Sequence, residues 1–253
     1  MPAFGVLMLI AQLACAIHAG RTGRPFFWIY IVLFVPGAGM AAYMLVEILP
    51  ELLGGRTARR AAAGVVKMLD PEKAYRAALR EVEISATTQT RANLADQCAV
   101  TGRLDEAVAL YRELLVGMHA TDPDLMMRLA RTEFVRGDFA AAQRELEALR
   151  KANPEYRSPD GHLLYARSLE SQGLEAAALY EYEALAEYFP GQEAKCRLAA
   201  LLQRTGATER AKQLFAEVCR AVELMPRHAR RVQKEWYDFA RRGLREAQAE
   251  GSR

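Results

Sequence analysis

Hydrophobic residues along the chain fall into two regimes. Residues 4–19 form an apolar run whose polar side chains are Gln12 and, near its end, His18, and residues 26–49 form a second run with Glu47 as its first charge. At ~1.5 Å per residue the first reaches ~24 Å and the second ~36 Å, against a hydrocarbon core of ~30 Å. The second run therefore predicts a transmembrane helix, and the first a short one that crosses where the bilayer thins locally. Beyond residue 53 the charge density rises, and apolar positions recur about three or four per two turns, the spacing of amphipathic helices. No segment alternates with the period of a strand.

The two apolar runs predict a hairpin over 1–53. Its anchors are Trp28 and Tyr30 at one end of the second helix and Tyr43 near the other. Pro36 removes a backbone donor and kinks that helix, while small residues four apart, Gly37 with Ala41 and Ala38 with Ala42, let another helix come close, either within the hairpin or in an oligomer formed through the transmembrane helices. A cleaved signal peptide is the competing reading of the first run; the lack of Lys or Arg before it and the nearness of the second run favour the hairpin. Arg21 and Arg24 lie between the runs, against Arg56, Arg59, Arg60 and Lys67 after them. The heavier cluster belongs on the cytoplasmic side, which puts the rest of the chain there too, against anionic lipid.

The pattern His18, Arg21, Trp28, Pro36, Gly39 and Tyr43 resembles the N-terminal membrane module that precedes cardiolipin synthases and other phospholipase D-like proteins. The resemblance implies a two-span anchor. It carries no activity, because none of the histidines is followed by Lys and Asp at the spacing of the phospholipase D signature.

The soluble part repeats. Gly102, Gly137, Gly173 and Gly206 recur at intervals of 35, 36 and 33 residues, each between two helix-forming runs. Seven residues before each stands an alanine (Ala95, Ala130, Ala166, Ala199), five after it another (Ala107, Ala142, Ala178, Ala211), and nine after it a bulky apolar residue (Tyr111, Leu146, Tyr182, Phe215). This register resembles the tetratricopeptide repeat (TPR), in which small residues let two antiparallel helices touch and the glycine ends the first. Asp122-Pro123 and Ser158-Pro159 each put a capping acceptor before a proline suited to the first helical turn. A lone helix pair could not cover its apolar faces, so neighbours must stack. Late prolines, Pro123 and Pro226, predict longer second helices in the first and last units.

The expected fold is all-α: a transmembrane helical hairpin (1–53), a basic helical connector or degenerate repeat (54–90), a TPR-like α-solenoid of four repeats (91–226) and one long capping helix (227–253) with Val232, Trp236, Phe239, Ala240 and Leu244 on its apolar face. The TPR resemblance implies that first helices line a concave groove. Its groove positions fall on Asn93 and Asp96, on Arg128, Arg131 and Phe134, on Arg167 and Glu170, and on Gln203 and Arg204. Arg131 and Arg167 occupy equivalent positions, so stacking should bring them together beside Phe134, where they suit an acidic segment or a C-terminal carboxylate. The competing reading pairs these arginines with Glu133, Glu170 or Asp160 in a solvated face. The groove departs from the lysine- and asparagine-based carboxylate clamp of chaperone-binding TPR proteins.

Composition narrows the function classes. Cys15, Cys98, Cys196 and Cys219 form no CxxC pair and no metal-ligand spacing, the four histidines are scattered, and no glycine-rich phosphate loop occurs. The sequence thus predicts no enzyme, no metal and no cofactor. A net charge of +3, with acids diluting the basic stretch 227–245, predicts no nucleic-acid partner. The reading is a scaffold or adaptor at the cytoplasmic face of an inner membrane, binding a protein or peptide. The alternatives are an envelope assembly factor with outward-facing repeats and an accessory subunit of a lipid-metabolising enzyme.

Overall fold

The structure, a computed structural model, describes residues 72–250. The hairpin, its anchor residues Trp28, Pro36, Gly39 and Tyr43, and residues 54–71 of the connector lie outside the described residues. Among the described residues there are eleven α-helices and no strand, and no helix is long and apolar enough to cross a membrane. In order they are α1 (Lys73–Ile84), α2 (Thr88–Val100), α3 (Leu104–Leu114), α4 (Pro123–Arg136), α5 (Phe139–Ala152), α6 (Pro159–Ser171), α7 (Glu175–Tyr188), α8 (Glu193–Arg204), α9 (Thr208–Leu224), α10 (Arg227–Val232) and α11 (Lys234–Glu250).

The four repeat glycines terminate α2, α4, α6 and α8 by one device. Each has a positive φ, between 77° and 92°. In each copy the following residue's N–H returns to the carbonyl four residues before the glycine, as in Arg103 to Cys98 and Asp138 to Glu133. This is the Schellman closure, which a side chain at the left-handed position would strain. Helix starts are equally local. Thr87 and Thr90 form a reciprocal capping box on α2, Asp122 accepts from the Asp124 and Leu125 amides, and Ser158 accepts from the Gly161 amide.

Small residues then set the packing. The eight repeat alanines are all 0% exposed, and Tyr111, Leu146, Tyr182 and Phe215 are buried beside them. Helix α4 touches α5 of its own pair, α3 and α2 before it, and α6 after it. It therefore buries Leu125, Met126, Met127, Leu129 and Ala130 rather than a narrow stripe. One core runs from Ala78 to Leu129, the next from Met126 to Leu164, and the last from Leu163 to Ala240. Adjacent cores share α4 and then α6, so each pair completes the cover of its neighbour.

Two expectations are corrected. The residues added after the first unit form a 3₁₀ turn, Gly117–His119, rather than a longer helix, because Gly117 takes a positive φ of 57°. In the last unit α9 is the longer helix expected, at 17 residues. Residues 227–250 do not form one continuous helix but break at Gln233. The side-chain Oε1 of Gln233 accepts from the Gln192 amide at 3.0 Å, and α10 before it buries nothing. Val232 is therefore exposed, while the turn lets Trp236, Phe239 and Ala240 of α11 pack against α8 and α9.

Candidate functional site

The first helices α2, α4, α6 and α8 carry a row of charged, polar and aromatic side chains, two to nine residues before each repeat glycine. Asp96 accepts from the Tyr111 hydroxyl and from Arg128 Nη1 at 2.8 Å, which joins the first repeat to the second. Glu170 accepts from the Tyr182 hydroxyl at 2.6 Å and pairs with Arg204 at 3.0 Å, joining the third to the fourth. Burial, reinforced by the bonded carboxylate, pushes the Tyr111 and Tyr182 hydroxyls upward, so both stay protonated donors. Asn93 accepts from Gln89 within α2, and Gln203 is half-buried on α8.

Arginines at this face fall into two groups. Arg131 forms an exposed pair with Asp160 at 3.5 Å, and Arg128 and Arg204 are paired as described. Arg167 differs. Its guanidinium lies 4.7 Å from the Phe134 ring centroid, is half-buried, and has no carboxylate within salt-bridge distance among the described residues. Burial lowers its pKa, and the neighbouring Arg197 lowers it further. Arg197 in turn lies 5.4 Å above the Trp236 ring of α11 and holds Glu193 at 2.8 Å. The guanidinium that acts most strongly on Arg167 is thus Arg197 of the next repeat, whereas Arg131 is held by Asp160 at the start of α6.

Arg197 and Trp236 were missed in the sequence. Arg197 stands nine residues before Gly206, the register position of Arg128, so the repeat spacing could have found it. Trp236 reaches the face only because the chain turns at Gln233. Together with Glu170, Ala200, Arg204, Glu235, Phe239 and Arg242 they line a cavity of about 330 Å³ between α8 and α11. Such an arrangement can bind and orient an anionic group between flat rings; it has no nucleophile and base in contact. No cluster that could hold a metal occurs among the described residues. Cys98, Cys196 and Cys219 are free and buried, and burial pushes the Cys98 and Cys196 thiols up to about 11 and about 12, which keeps them protonated.

A family model described as Tetratricopeptide repeat matches residues 101–168. Among solved structures, MamA 41-end from Desulfovibrio magneticus RS-1 is 14% identical, covers 64% of this chain and 92% of its own, and superposes with a TM-score of 0.53. TTC0263, a thermophilic TPR protein in Thermus thermophilus, is 16% identical, covers 72% and 95%, and has a TM-score of 0.50. No curated protein matches the chain. At these identities the likeness is one of fold: residues 72–250 make an all-helical, TPR-like solenoid.

Proposed function

We propose that the chain is a membrane-anchored scaffold whose first-helix face, concave in the manner of TPR folds, captures an acidic segment or C-terminal carboxylate of a partner protein at the cytoplasmic side of an inner membrane. The observation that carries this reading is Arg167. A half-buried guanidinium stacked on Phe134, beside a second arginine and without a carboxylate of its own, gains more from an arriving anion than any ion pair already closed on this face. Fold alone does not assign a function, so the weight rests on this site. The two apolar runs and the basic residues 56–67 support the anchor and its orientation.

The test is capture of an acidic peptide by the full-length protein in detergent. Arg167→Ala with Arg197→Ala should weaken capture by roughly tenfold or more, since each loses a charge-assisted contact worth about 1–2 kcal/mol. Helicity should be unchanged. Comparing a peptide with a free C-terminus against its amidated form separates a terminal carboxylate from acidic side chains. Equal capture by parent and variant removes the reading.

A further inference from the structure

A larger cavity, about 620 Å³, opens away from the Arg167 site, where α5, residues 153–158, the start of α6 and α7 meet. The repeat register shows what packing alone needs there. Eight residues before the glycine stand the buried Leu94, Leu129 and Leu198, but the third repeat has Tyr165. Eight residues after it the first and last repeats have Leu110 and Leu214, where the second and third have Glu145 and Glu181; eleven before it the second repeat buries Met126, where the others have Arg91, His162 and Lys195. The third repeat alone carries a hydroxyl at the leucine position, and at each of the other two it holds a polar group where at least one copy of the same architecture is apolar.

These groups form two hydrogen-bonded sets that still have capacity to spare. The Tyr165 hydroxyl donates to Glu147 Oε1 at 3.0 Å, which also accepts from Gln143 Nε2 at 2.9 Å. His162 meets Glu181 Oε2 through Nε2 and the Tyr188 hydroxyl through Nδ1. Glu147 Oε2 and Glu181 Oε1 accept no hydrogen bond among the described residues. Both glutamates are half-buried, whereas Arg150 and Arg157 of the lining are exposed. Tyr156, Tyr165 and Tyr188 add three aromatic rings, and Tyr188 is 52% exposed, at the open side.

We propose that this cavity receives an arginine side chain presented by a partner protein. The inner charge is negative, and a guanidinium satisfies idle carboxylate oxygens while its plane lies on a ring. The chain itself places a guanidinium on one of these rings, with Arg150 5.7 Å from the Tyr165 centroid. The site is separate from the Arg167 face, so the two readings stand or fall apart.

Calorimetric titration of the full-length protein in detergent with acetyl-Gly-Ser-Arg-Ser-Gly-amide tests it. The same peptide with citrulline, which keeps the shape and loses the charge, should bind roughly tenfold or more weakly. Glu147→Gln with Glu181→Gln should weaken the arginine peptide by a similar factor, while Arg167→Ala with Arg197→Ala should leave it unchanged. No binding of the arginine peptide, equal binding of the citrulline peptide, undiminished binding by the glutamine variant, or loss in the Arg167 and Arg197 variant each overturns the proposal. The citrulline comparison decides even if the glutamine variant fails to fold.

Discussion

Replacing both Arg112 and Arg136 with alanine is expected to cost about 3–5 kcal/mol of stability, whereas Glu133→Leu is expected to be near neutral. Glu133 is 0% exposed inside the solenoid. Arg112 of α3 reaches its Oε1 at 2.7 Å and Arg136 its Oε2 at 2.6 Å, so two guanidiniums from adjacent repeats close on one carboxylate. The position lies four residues before Gly137, where the other repeats bury Cys98, Leu169 and Leu202. The backbone there is shaped for an apolar side chain, and leucine fills it without a charge to solvate. Removing the arginines instead leaves the carboxylate buried and uncompensated, the costly half of the exchange.

Acidity adds a second signature. Burial holds the Glu133 carboxyl above its ordinary value of 4.5, against the pull of Arg136 and Arg112. A carboxyl raised in the folded state stabilises fully below the unfolded value and loses that contribution as pH rises through the folded one. The advantage of Glu133→Leu over the parent should therefore grow as pH rises through that window. The double-arginine variant should recover part of its loss on acidification. Denaturant melts at several pH values measure both, and an unchanged midpoint in the arginine variant contradicts the pairing.

Gly243→Ala should destabilise the protein by about 2 kcal/mol, although alanine normally gains about 1 kcal/mol over glycine inside a helix. A Cβ on Gly243 of α11 would stand 2.5 Å from both Cε2 and Cζ of Phe215. Phe215 is 1% exposed and held beside Phe239, so its ring has nowhere to swing. Overpacking of this kind costs about 1–3 kcal/mol, and two ring atoms at that distance put the cost at the upper end before the backbone gain is subtracted. If α11 shifts to relieve it, Trp236 moves from Arg197, so the Trp236 fluorescence in a Trp28→Phe background should change with the melting point. An alanine variant as stable as the parent contradicts docking of α11 through this contact.

How much was legible in the sequence depends on how local the cause was. The helix ends and the pairwise stacking were readable because a glycine, two alanines and a bulky residue repeat in fixed register, and each acts through its own turn or its immediate partner helix. Asp96, Arg128, Phe134, Arg167, Glu170 and Arg204 could be placed on the first-helix face by the same register. Their partners could not be read so directly. Arg131 was expected beside Arg167, and the competing reading paired it with Asp160; the structure shows that pair, at 3.5 Å, because Asp160 stands at the start of the following helix. The buried state of Glu133 was hidden by its charge, though its register position matches Leu169 and Leu202. Trp236 depended on the direction of α11, which a single hydrogen bond from the Gln192 amide to the Gln233 side chain helps to set.

Whether a partner's acidic segment lies on the first-helix face beside Arg167 is tested most directly by photo-crosslinking in membranes that contain the full-length protein. One crosslinking residue stands at Ala200, in the wall of the 330 Å³ cavity, and another at Tyr180, 73% exposed on α7. A segment seated there predicts a protein adduct from Ala200 that disappears with Arg167→Ala and Arg197→Ala, and none from Tyr180. Adducts from Tyr180 alone, or an Ala200 adduct that survives loss of both arginines, contradict it.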